Sequence, residues 1–294
     1  MTSIPASFSR RTEVIGIEQT MSGTYWEQFR GRTMPVIDVA SSAAKKFVEA
    51  PLVSEAIMRK LTSRSEPLTG DQIYGVAGLG NVGMAVARAL RAYGHSIYAF
   101  DPRPQEMGAR PQGVNVCSTL RELFERSNYI FGCTGRDILA SEPWWTTLEG
   151  RKVLVSCSSN DTEFSTVLAT LNESPNDSGA LSDLTVKLTK GELVLLRAGY
   201  PYNFDGTSES VPLQNIQMTR GLLLGGVLQA VSYEFKNADK SRSKMLSPEL
   251  QKFVVDSWLR LQPECGSFYS EDVRDIFQDV SSIAANSGRL PDVK

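Results

Sequence analysis

The stretch from Ile73 to Asp101 constrains this chain more than any other part of the sequence. It opens with an apolar run, Ile73–Ala77, whose length suits a β-strand buried on both faces. Three glycines follow with the spacing G-x-G-x-x-G, and small and apolar residues then recur as in a helix packed on a sheet. Gly94 ends that helix, and Ser96–Phe100 resembles a second buried strand. The order strand, glycine turn, helix and strand predicts a βαβ unit.

Each glycine of this turn has a separate predicted task. Gly78 permits the tight turn, Gly80 lets the backbone approach a pyrophosphate, and Gly83 lets the helix pack closely on the strand. The first residues of the helix, Asn81 and Val82, contribute free N–H groups and the positive end of the helix dipole. The pattern predicts dinucleotide binding, and the alternative is a glycine-rich turn with a structural role only.

Asp101 bears on the choice of cofactor. A carboxylate at the end of the second strand accepts hydrogen bonds from the hydroxyls of an adenosine ribose and repels a 2′-phosphate. The sequence therefore favours NAD over NADP, although Arg103, which would suit a 2′-phosphate, follows closely.

Further buried strands alternate with helices along the chain, which predicts an α/β fold with a doubly wound, mostly parallel, Rossmann-like sheet. The predicted segments are an N-terminal hinge and helical segment (1–70), a Rossmann-like NAD-binding domain (71–212) and a C-terminal helical extension (213–294). The expected further strands are 14–16, 34–39, 129–133 and 153–157, with a hairpin joining 185–188 to 193–196. The expected further helices are one around Trp26 and Phe29 that Gly31 ends, 41–49, limited by Pro51, then 54–61, 120–126, one beginning at 158–161, 213–231, 248–262 and 270–287.

Bulk composition excludes several classes of function. The net charge of −2 and the pI near 5.7 argue against a nucleic-acid partner and a polybasic membrane surface. The four cysteines are far apart, so neither a metal site nor a disulfide framework is indicated. No apolar core follows Arg10-Arg11, so we expect no signal peptide and a cytoplasmic protein.

Five segments in order resemble the hinge and NAD-binding portions of the S-adenosylhomocysteine hydrolases, over residues 14–235. They are Glu18–Gly23, Pro35–Val39 with Ser42 and Lys45, Val76–Leu90, Cys133–Gly135 with Asp137-Ile138, and Leu195–Asn203. The resemblance implies that Thr20 and Ser22 lie on the nicotinamide side of NAD, that Thr134 and Gly135 line the cofactor site, and that Asn203 binds the carboxamide.

The chain also departs from that family. Only 17 residues precede Glu18, where the family has a whole substrate domain. The family's first histidine corresponds to a serine within Ser158–Asp161, and its second falls at Ser210 or Val211. The single histidine, His95, falls in an expected surface turn. The resemblance therefore implies a protein that retains the NAD half and has lost the substrate half.

The candidate catalytic residues are Lys45, Glu49, Ser159, Asp161 and Tyr202. Lys45 matches the base of the resembled family, and Glu49 lies one helical turn away. The alternatives are that both are ordinary surface charges and that Tyr202 is a packed aromatic. Ser159 and Asp161 lie at a predicted strand end, where substrates bind in such sheets. Cys157 ends a strand, and its alternatives are a nucleophile and a buried structural thiol; the second is favoured because no histidine is placed to activate it.

Three functions remain open at this point. The first is an NAD-dependent oxidoreductase, or a redox-cycling lyase or hydrolase, acting on a secondary alcohol of a nucleoside, sugar or other small-molecule metabolite. The second is a non-catalytic NAD-binding regulatory or scaffold protein, and the third is a dehydrogenase of 2-hydroxy acids. The apolar side of the helix 213–231 is expected to consist of Leu213, Ile216, Leu223, Val227, Leu228 and Val231. This helix and the two terminal helices exceed what one sheet face needs, which predicts a homodimer; a partner protein that supplies the substrate-binding surface is a further alternative.

Overall fold

The computed structural model describes residues 14–24, 34–64, 72–103, 113–141, 143–159, 161–171, 182–204, 212–232 and 243–261. The chain forms two compact units, Ala50–Leu213 and the combination of Met1–Glu49 with Gln214–Lys294. Each contains a β-sheet of its own. The division into three segments at residues 70 and 212 stays a prediction.

The unit Ala50–Leu213 is built on a seven-stranded sheet. Its strands are β3 (Ile73–Ala77), β4 (Ser96–Phe100), β5 (Asn115–Val116), β6 (Tyr129–Gly132), β7 (Glu149–Ser156), β8 (Leu184–Lys187) and β9 (Lys190–Leu195). Every neighbouring pair is parallel except the β8–β9 hairpin. The predicted α/β class, the mostly parallel sheet and the Rossmann-like fold are therefore confirmed.

The strand order is β5-β4-β3-β6-β7-β9-β8, so the first strand of this unit lies in the interior of the sheet. The chain proceeds outward from β3 to β4 and β5, then returns to the other side of β3 with β6. Such a reversal opens a crevice at the carboxyl ends of the two central strands, where ligands of doubly wound sheets bind. The turns after β3 and β6 are therefore the first place to look for a site.

Alternate residues of the strands enter two separate cores, because successive side chains of a strand point to opposite faces. In β6 and β7, Phe131 and Val155 belong to one apolar cluster, whereas Ile130 and Leu154 belong to the other. All four are fully buried. The sheet is consequently covered on both sides, as the continuous apolar character of these strands predicts.

The helices of this unit are α2 (Ala50–Thr62), α3 (Asn81–Ala92), α4 (Leu120–Arg126) and the short α5 (Ser165–Leu168), with 3-10 turns at Pro143–Thr147 and Leu196–Gly199. The predicted bounds of β3, β4, α3 and α4 agree with these. The expectation of a helix beginning at 158–161 is wrong, because Ser158 and Ser159 lie in a bend, 161–164 form a turn and α5 begins only at Ser165.

The prediction of two helices separated by Pro51 is also wrong. A helical segment continues from Ala43 through a π-helix turn, Lys45–Glu49, directly into α2. Proline is tolerated in the first turn of an α-helix but breaks a helix interior. Pro51 is the second residue of α2, directly after the π-helix turn, so it does not end the helical segment.

The second unit contains a three-stranded parallel sheet with the order β1-β2-β10: β1 (Gly16–Glu18), β2 (Val36–Asp38) and β10 (Ser243–Met245). Its helices are α1 (Met21–Thr24), α6 (Leu213–Ser232) and α7 (Pro248–Leu261). The sequence predicted β1 two residues too early and did not predict β10. The helices expected around Trp26 and at 270–287 lie outside the described residues.

The buried face of α6 differs from the prediction. Leu213, Val227, Leu228 and Val231, which were expected on the packed side, are exposed, and Gly225 and Gly226 lie buried instead. A Cβ at Gly226 would lie 2.9 Å from the side chain of Ile17 in β1. The helix therefore packs through its glycines, because these allow its backbone to approach the sheet.

Candidate functional site

The glycine turn after β3 shows which of its glycines the fold requires. Gly78 has a φ of 87°, a left-handed conformation that favours glycine. A Cβ at Gly83 would lie 1.8 Å from the carbonyl oxygen of Gly78, so the first turn of α3 packs directly on the end of β3. A Cβ at Gly80 would meet no atom of the described residues within 4 Å. Gly80 thus borders open space at the N-terminus of α3, where no side chain caps the helix.

The adjoining residues of the turn have the predicted positions. Asn81 and Val82 form the first turn of α3, and both are partly exposed. Asp101 follows β4 and is buried. Its carboxylate accepts hydrogen bonds from the N–H of Leu79 (2.8 Å) and the N–H of Arg103 (2.9 Å). Asp101 therefore also holds the glycine turn against the end of β4, a role that the sequence pattern did not indicate.

A second turn, Thr134-Gly135, follows β6 and contacts the glycine turn. The position of a Cβ at Gly78 lies 2.8 Å from Cγ2 of Thr134. The carboxylate of Glu163 accepts hydrogen bonds from the N–H and the hydroxyl of Thr134 and from the N–H of Gly135, each at 2.8 Å. Sequence reasoning missed Glu163, which is fully buried.

The loop after β9 contains the next group of candidates. Arg197, Ala198 and Gly199 all have positive φ, and the chain then returns to the end of β7, where the N–H of Tyr202 donates to the carbonyl of Ser156 at 2.7 Å. Asn203 is buried, and its side-chain Oδ1 has no hydrogen-bond partner among the described residues. Its carbonyl accepts a hydrogen bond from Lys60 Nζ at 2.9 Å. A buried acceptor of this kind suits an N–H group of a ligand.

The remaining candidates in this unit differ in exposure. Ser159 and Asp161 are exposed, just beyond the carboxyl end of β7. Tyr202 is buried, and its hydroxyl accepts a hydrogen bond from Arg64 Nη1 at 3.5 Å. These surroundings are those expected of a packed aromatic residue, which is the alternative interpretation of Tyr202. The catalytic roles of all three residues stay predictions.

Lys45 and Glu49 form a connected pair in the other unit. Lys45 Nζ lies 2.8 Å from Glu49 Oε2 and donates to the carbonyl of Gln19 at 2.7 Å. Glu49 Oε1 accepts a hydrogen bond from the hydroxyl of Thr219 in α6 at 2.6 Å. The two side chains are only 13% and 22% exposed, less than an ordinary surface pair. Their catalytic role stays a prediction.

The loop after β1 carries the other predicted residues of this unit. Thr20 donates from both its N–H and its hydroxyl to Glu18 Oε1, each at 2.7 Å. Ser22 lies within α1, and its side chain is outside the description. A Cβ at Gly23 would lie 1.8 Å from Glu18 Oε2, so the glycine leaves room for that carboxylate. The role of this loop toward a cofactor is likewise untested.

His95, Cys133 and Cys157 have structural surroundings. His95 lies between two tyrosines, with its ring centroid 4.4 Å from that of Tyr74, and burial lowers its pKa. The Cys133 thiol donates to the carbonyl of Phe131 at 3.8 Å, and the neighbouring Cys157 thiol and burial raise the pKa of Cys133 well above its usual value. A thiol with a raised pKa is a weak nucleophile. Of the helices in the described ranges, none has the length and apolar character that crossing a bilayer requires.

Comparison with known families bears directly on the glycine turn. Residues 45–135, which include α2, β3, α3, β4 and β6, match the NAD-binding domain of the D-isomer specific 2-hydroxyacid dehydrogenases. The predicted NAD-binding domain and its cofactor, NAD, are confirmed.

The same match corrects the resemblance drawn from short motifs. The similarity to the S-adenosylhomocysteine hydrolases is wrong, because Val76–Leu90 and Cys133–Gly135, two of the segments that carried it, fall in the region that matches the 2-hydroxyacid dehydrogenase domain. The glycine spacing and the following helix are requirements of binding a dinucleotide on this fold, and they recur in families with different reactions.

The individual proteins described next are at most 28% identical to this chain over the aligned residues. An uncharacterized protein of Mycobacterium tuberculosis, found in two strains, is 28% identical over 227 residues, which is 76% of this chain. The chain spans 42% of the length of that relative. Among solved structures, a 2-hydroxyacid dehydrogenase from Ketogulonicigenium vulgare is 14% identical with a TM-score of 0.43, covering 76% of each chain. D-lactate dehydrogenase from Escherichia coli is 22% identical with a TM-score of 0.29, covering 42% of this chain and 44% of the enzyme.

Proposed function

We propose that this chain is an NAD-dependent oxidoreductase that interconverts a secondary alcohol and the corresponding ketone. The observation that carries the proposal is the open space over Gly80 at the N-terminus of α3, with Asp101 at the end of the neighbouring strand. Free helix N–H groups suit a pyrophosphate, and a carboxylate in this position suits a ribose. We take 2-hydroxy acids as the first substrate class to test, because the matched domain belongs to enzymes of that name.

The residues present fit NAD on two independent observations. The space beside Gly80 accepts a group that approaches the backbone, and the buried Oδ1 of Asn203 offers an acceptor for an N–H group such as that of a carboxamide. In the proposed site, Gly78–Gly83 and Asp101 hold the adenosine diphosphate, and Thr134, Gly135 and Asn203 hold the other half. When bound, NAD supplies the acceptor for the hydride of the alcohol.

The test begins with binding and proceeds to chemistry. Purified protein is titrated with NADH, whose fluorescence reports binding, and NADH formation is then followed with a panel of 2-hydroxy acids, polyols and nucleosides. We expect saturable binding of NADH, weaker binding of NADPH, and NADH formation with members of one of these classes. Absence of binding would refute the site, whereas binding without turnover of any substrate would refute the oxidoreductase.

A second candidate function is a non-catalytic NAD-binding protein that regulates a partner. Two groups considered as acceptors for the proton of an alcohol are both in contact with other residues, which favours this function. His95 lies against Tyr74, and Lys45 bonds Glu49 and the carbonyl of Gln19. The variant Lys45→Ala separates the two functions. Under the oxidoreductase hypothesis it loses turnover by a factor of about 100 or more while retaining NADH affinity; under the regulatory hypothesis no activity exists to be lost.

A further inference from the structure

Glu163 is a buried carboxylate whose partners all lie at the carboxyl ends of the two strands β6 and β7. Its side chain is fully buried, and its two oxygens accept the three hydrogen bonds from Thr134 and Gly135 described above. The hydroxyl of Ser158, just after β7, supplies a fourth. An ionised carboxylate needs donors of this number to be held away from water, and hydrogen bonds to a charged acceptor are the strong ones.

The packing around Glu163 connects it to the glycine turn. A Cβ at Gly132 would lie 2.4 Å from Cγ of Glu163, so the last residue of β6 leaves room for the carboxylate stem. The turn that Glu163 bonds begins with Thr134. A Cβ at Gly78 would lie 2.8 Å from Cγ2 of Thr134, so the two turns lie directly against each other. A continuous series of contacts therefore leads from Glu163 through Thr134 to the turn that approaches the pyrophosphate.

We propose that Glu163 is a positioning residue that sets the affinity for NAD by fixing the Thr134-Gly135 turn against Gly78. The inference rests on the proposed NAD site and adds a residue to it that does not contact the cofactor. Because Glu163 bonds two backbone N–H groups, only a side chain that accepts at both oxygens holds the turn in place. Glutamine, which has one acceptor and one donor, cannot bond Thr134 and Gly135 together.

The proton on Glu163 provides a readout that a merely structural residue would lack. Burial raises the pKa of Glu163, while its bonds from Thr134, Gly135 and Ser158 act in the opposite direction. Protonation places a hydrogen on an oxygen that faces an N–H donor, so the turn loosens as the pH falls. The Cys133 thiol also faces Glu163, and its raised pKa keeps it neutral throughout the acidic range. NADH affinity should therefore fall in acid because of Glu163.

The experiment compares Glu163→Gln with the full-length wild type. NADH dissociation constants come from fluorescence titrations at neutral pH and at several pH values down to about pH 5, and stability comes from urea unfolding. We expect Glu163→Gln to weaken NADH binding about tenfold at neutral pH and to abolish the acid-dependent loss of affinity. A purely global loss of stability leaves the affinity of the folded molecules unchanged.

Asp137→Asn is the matched control. Asp137 is a carboxylate in the same loop that bonds Ser165 and Thr166 of α5 and makes no bond to Thr134 or Gly135 among those described. We expect it to lower stability and leave NADH affinity within about twofold of the wild type. Equal weakening by both variants would overturn the proposal, and so would wild-type affinity in Glu163→Gln at every pH.

A second variant and the wild type itself keep the proposal testable if Glu163→Gln does not fold. Thr134→Val keeps both branches of the side chain and removes the hydroxyl that donates to Glu163 and accepts from the N–H of Arg136 within the same turn, and we expect about threefold weaker NADH binding. A flat pH profile in the wild type would contradict the proposal. Failure of the wild type to bind NADH at any pH would instead refute the NAD site, so the two failures are distinguishable.

Discussion

Two residues of the glycine turn, Gly80 and Gly83, differ in whether packing within the protein requires a glycine. Gly83 is required by packing, since a Cβ there would overlap the carbonyl oxygen of Gly78. Gly80 is not required by the fold, because a Cβ would extend into open space and its φ of −68° suits any residue. A glycine that the folded chain does not need points to a ligand that does need the space.

The variants Gly80→Ala and Gly83→Ala test this distinction. We expect Gly80→Ala to unfold within about 0.5 kcal/mol of the wild type and to bind NADH at least about tenfold more weakly. Gly83→Ala should lose about 2 kcal/mol of stability or more, because the backbone has to move. Urea unfolding and NADH titration measure both. Unchanged NADH affinity in Gly80→Ala would show that the open space is not a cofactor site.

His95 should make the protein sensitive to acid. Burial lowers its pKa in the folded state, so the unfolded chain binds a proton more readily, and stability is lost as the pH falls through the unfolded pKa of about 6.5. His95→Phe preserves a ring beside Tyr74 and removes the titration. Urea unfolding at pH values on both sides of the unfolded pKa should show a smaller acid-induced loss of stability in His95→Phe than in the wild type. An equal loss in both would assign the acid sensitivity to other groups.

The residues of the glycine turn were predictable from sequence, because the spacing of its glycines along the chain is itself what the turn requires. Glu163 was not, because Thr134 and Gly135 precede it by 29 and 28 residues, and only the pairing of β6 with β7 brings them together. The second role of Asp101 was missed for a related reason: its bond to Leu79 spans 22 residues and depends on the pairing of β3 with β4.

Among the elements, the π-helix turn Lys45–Glu49 shows how a local irregularity is held in place. The wider turn lies immediately before α2, and its last residue, Glu49, bonds Thr219 of α6. The bond between Glu49 and Thr219 therefore links the π-helix turn to α6 within the same unit.

Thr219→Val tests how much this connection stabilises the unit. Valine has the shape of threonine without the hydroxyl that donates to Glu49, and we expect a loss of about 1 kcal/mol in the free energy of unfolding. Thr170→Val is a suitable control, since the hydroxyl of this exposed residue donates to the nearby carbonyl of Val167 at 2.7 Å and so links no separate elements. An equal effect of the two variants would show that the bond to Glu49 adds nothing.

Elements with a strong apolar period were predicted closely, and those governed by tertiary packing were not. The strands β3 and β6 are buried on both faces, and β4 is buried on one face and partly buried on the other, so their composition identifies them. In contrast, α6 contains apolar residues on several sides, and the buried side is selected by Gly225 and Gly226. Composition alone favours leucine over glycine for a buried face, which is why the prediction for α6 was wrong.

For the molecule as a whole, the exposed row on α6 supports our proposal of a homodimer. Leu224, Leu228 and Val231 recur at helical spacing and are 59%, 54% and 83% exposed. Light scattering at micromolar concentration should give twice the mass of one chain, and the double variant Leu228→Glu with Val231→Glu should give a single chain. A monomeric wild type would contradict the dimer.

Fold class and cofactor were within reach of the sequence, whereas the family was not. The strand order around β3 and the glycine turn are what any dinucleotide-binding sheet needs, so they identify the cofactor without separating one reaction from another. The residues that distinguish families are those contacting the substrate, and their identity depends on contacts that spacing along the chain does not reveal.

The order of the two units along the chain affects how the protein folds during synthesis. Ala50–Leu213 is one continuous segment, whereas the other unit needs residues from both before and after it, and β2 pairs with β10 as well as with β1. Domains fold as they leave the ribosome, so the NAD-binding unit can complete its sheet while β2 still has an unpaired edge. Unpaired edges promote aggregation. The nascent chain is therefore most in need of chaperones during the interval between the emergence of β2 and that of β10.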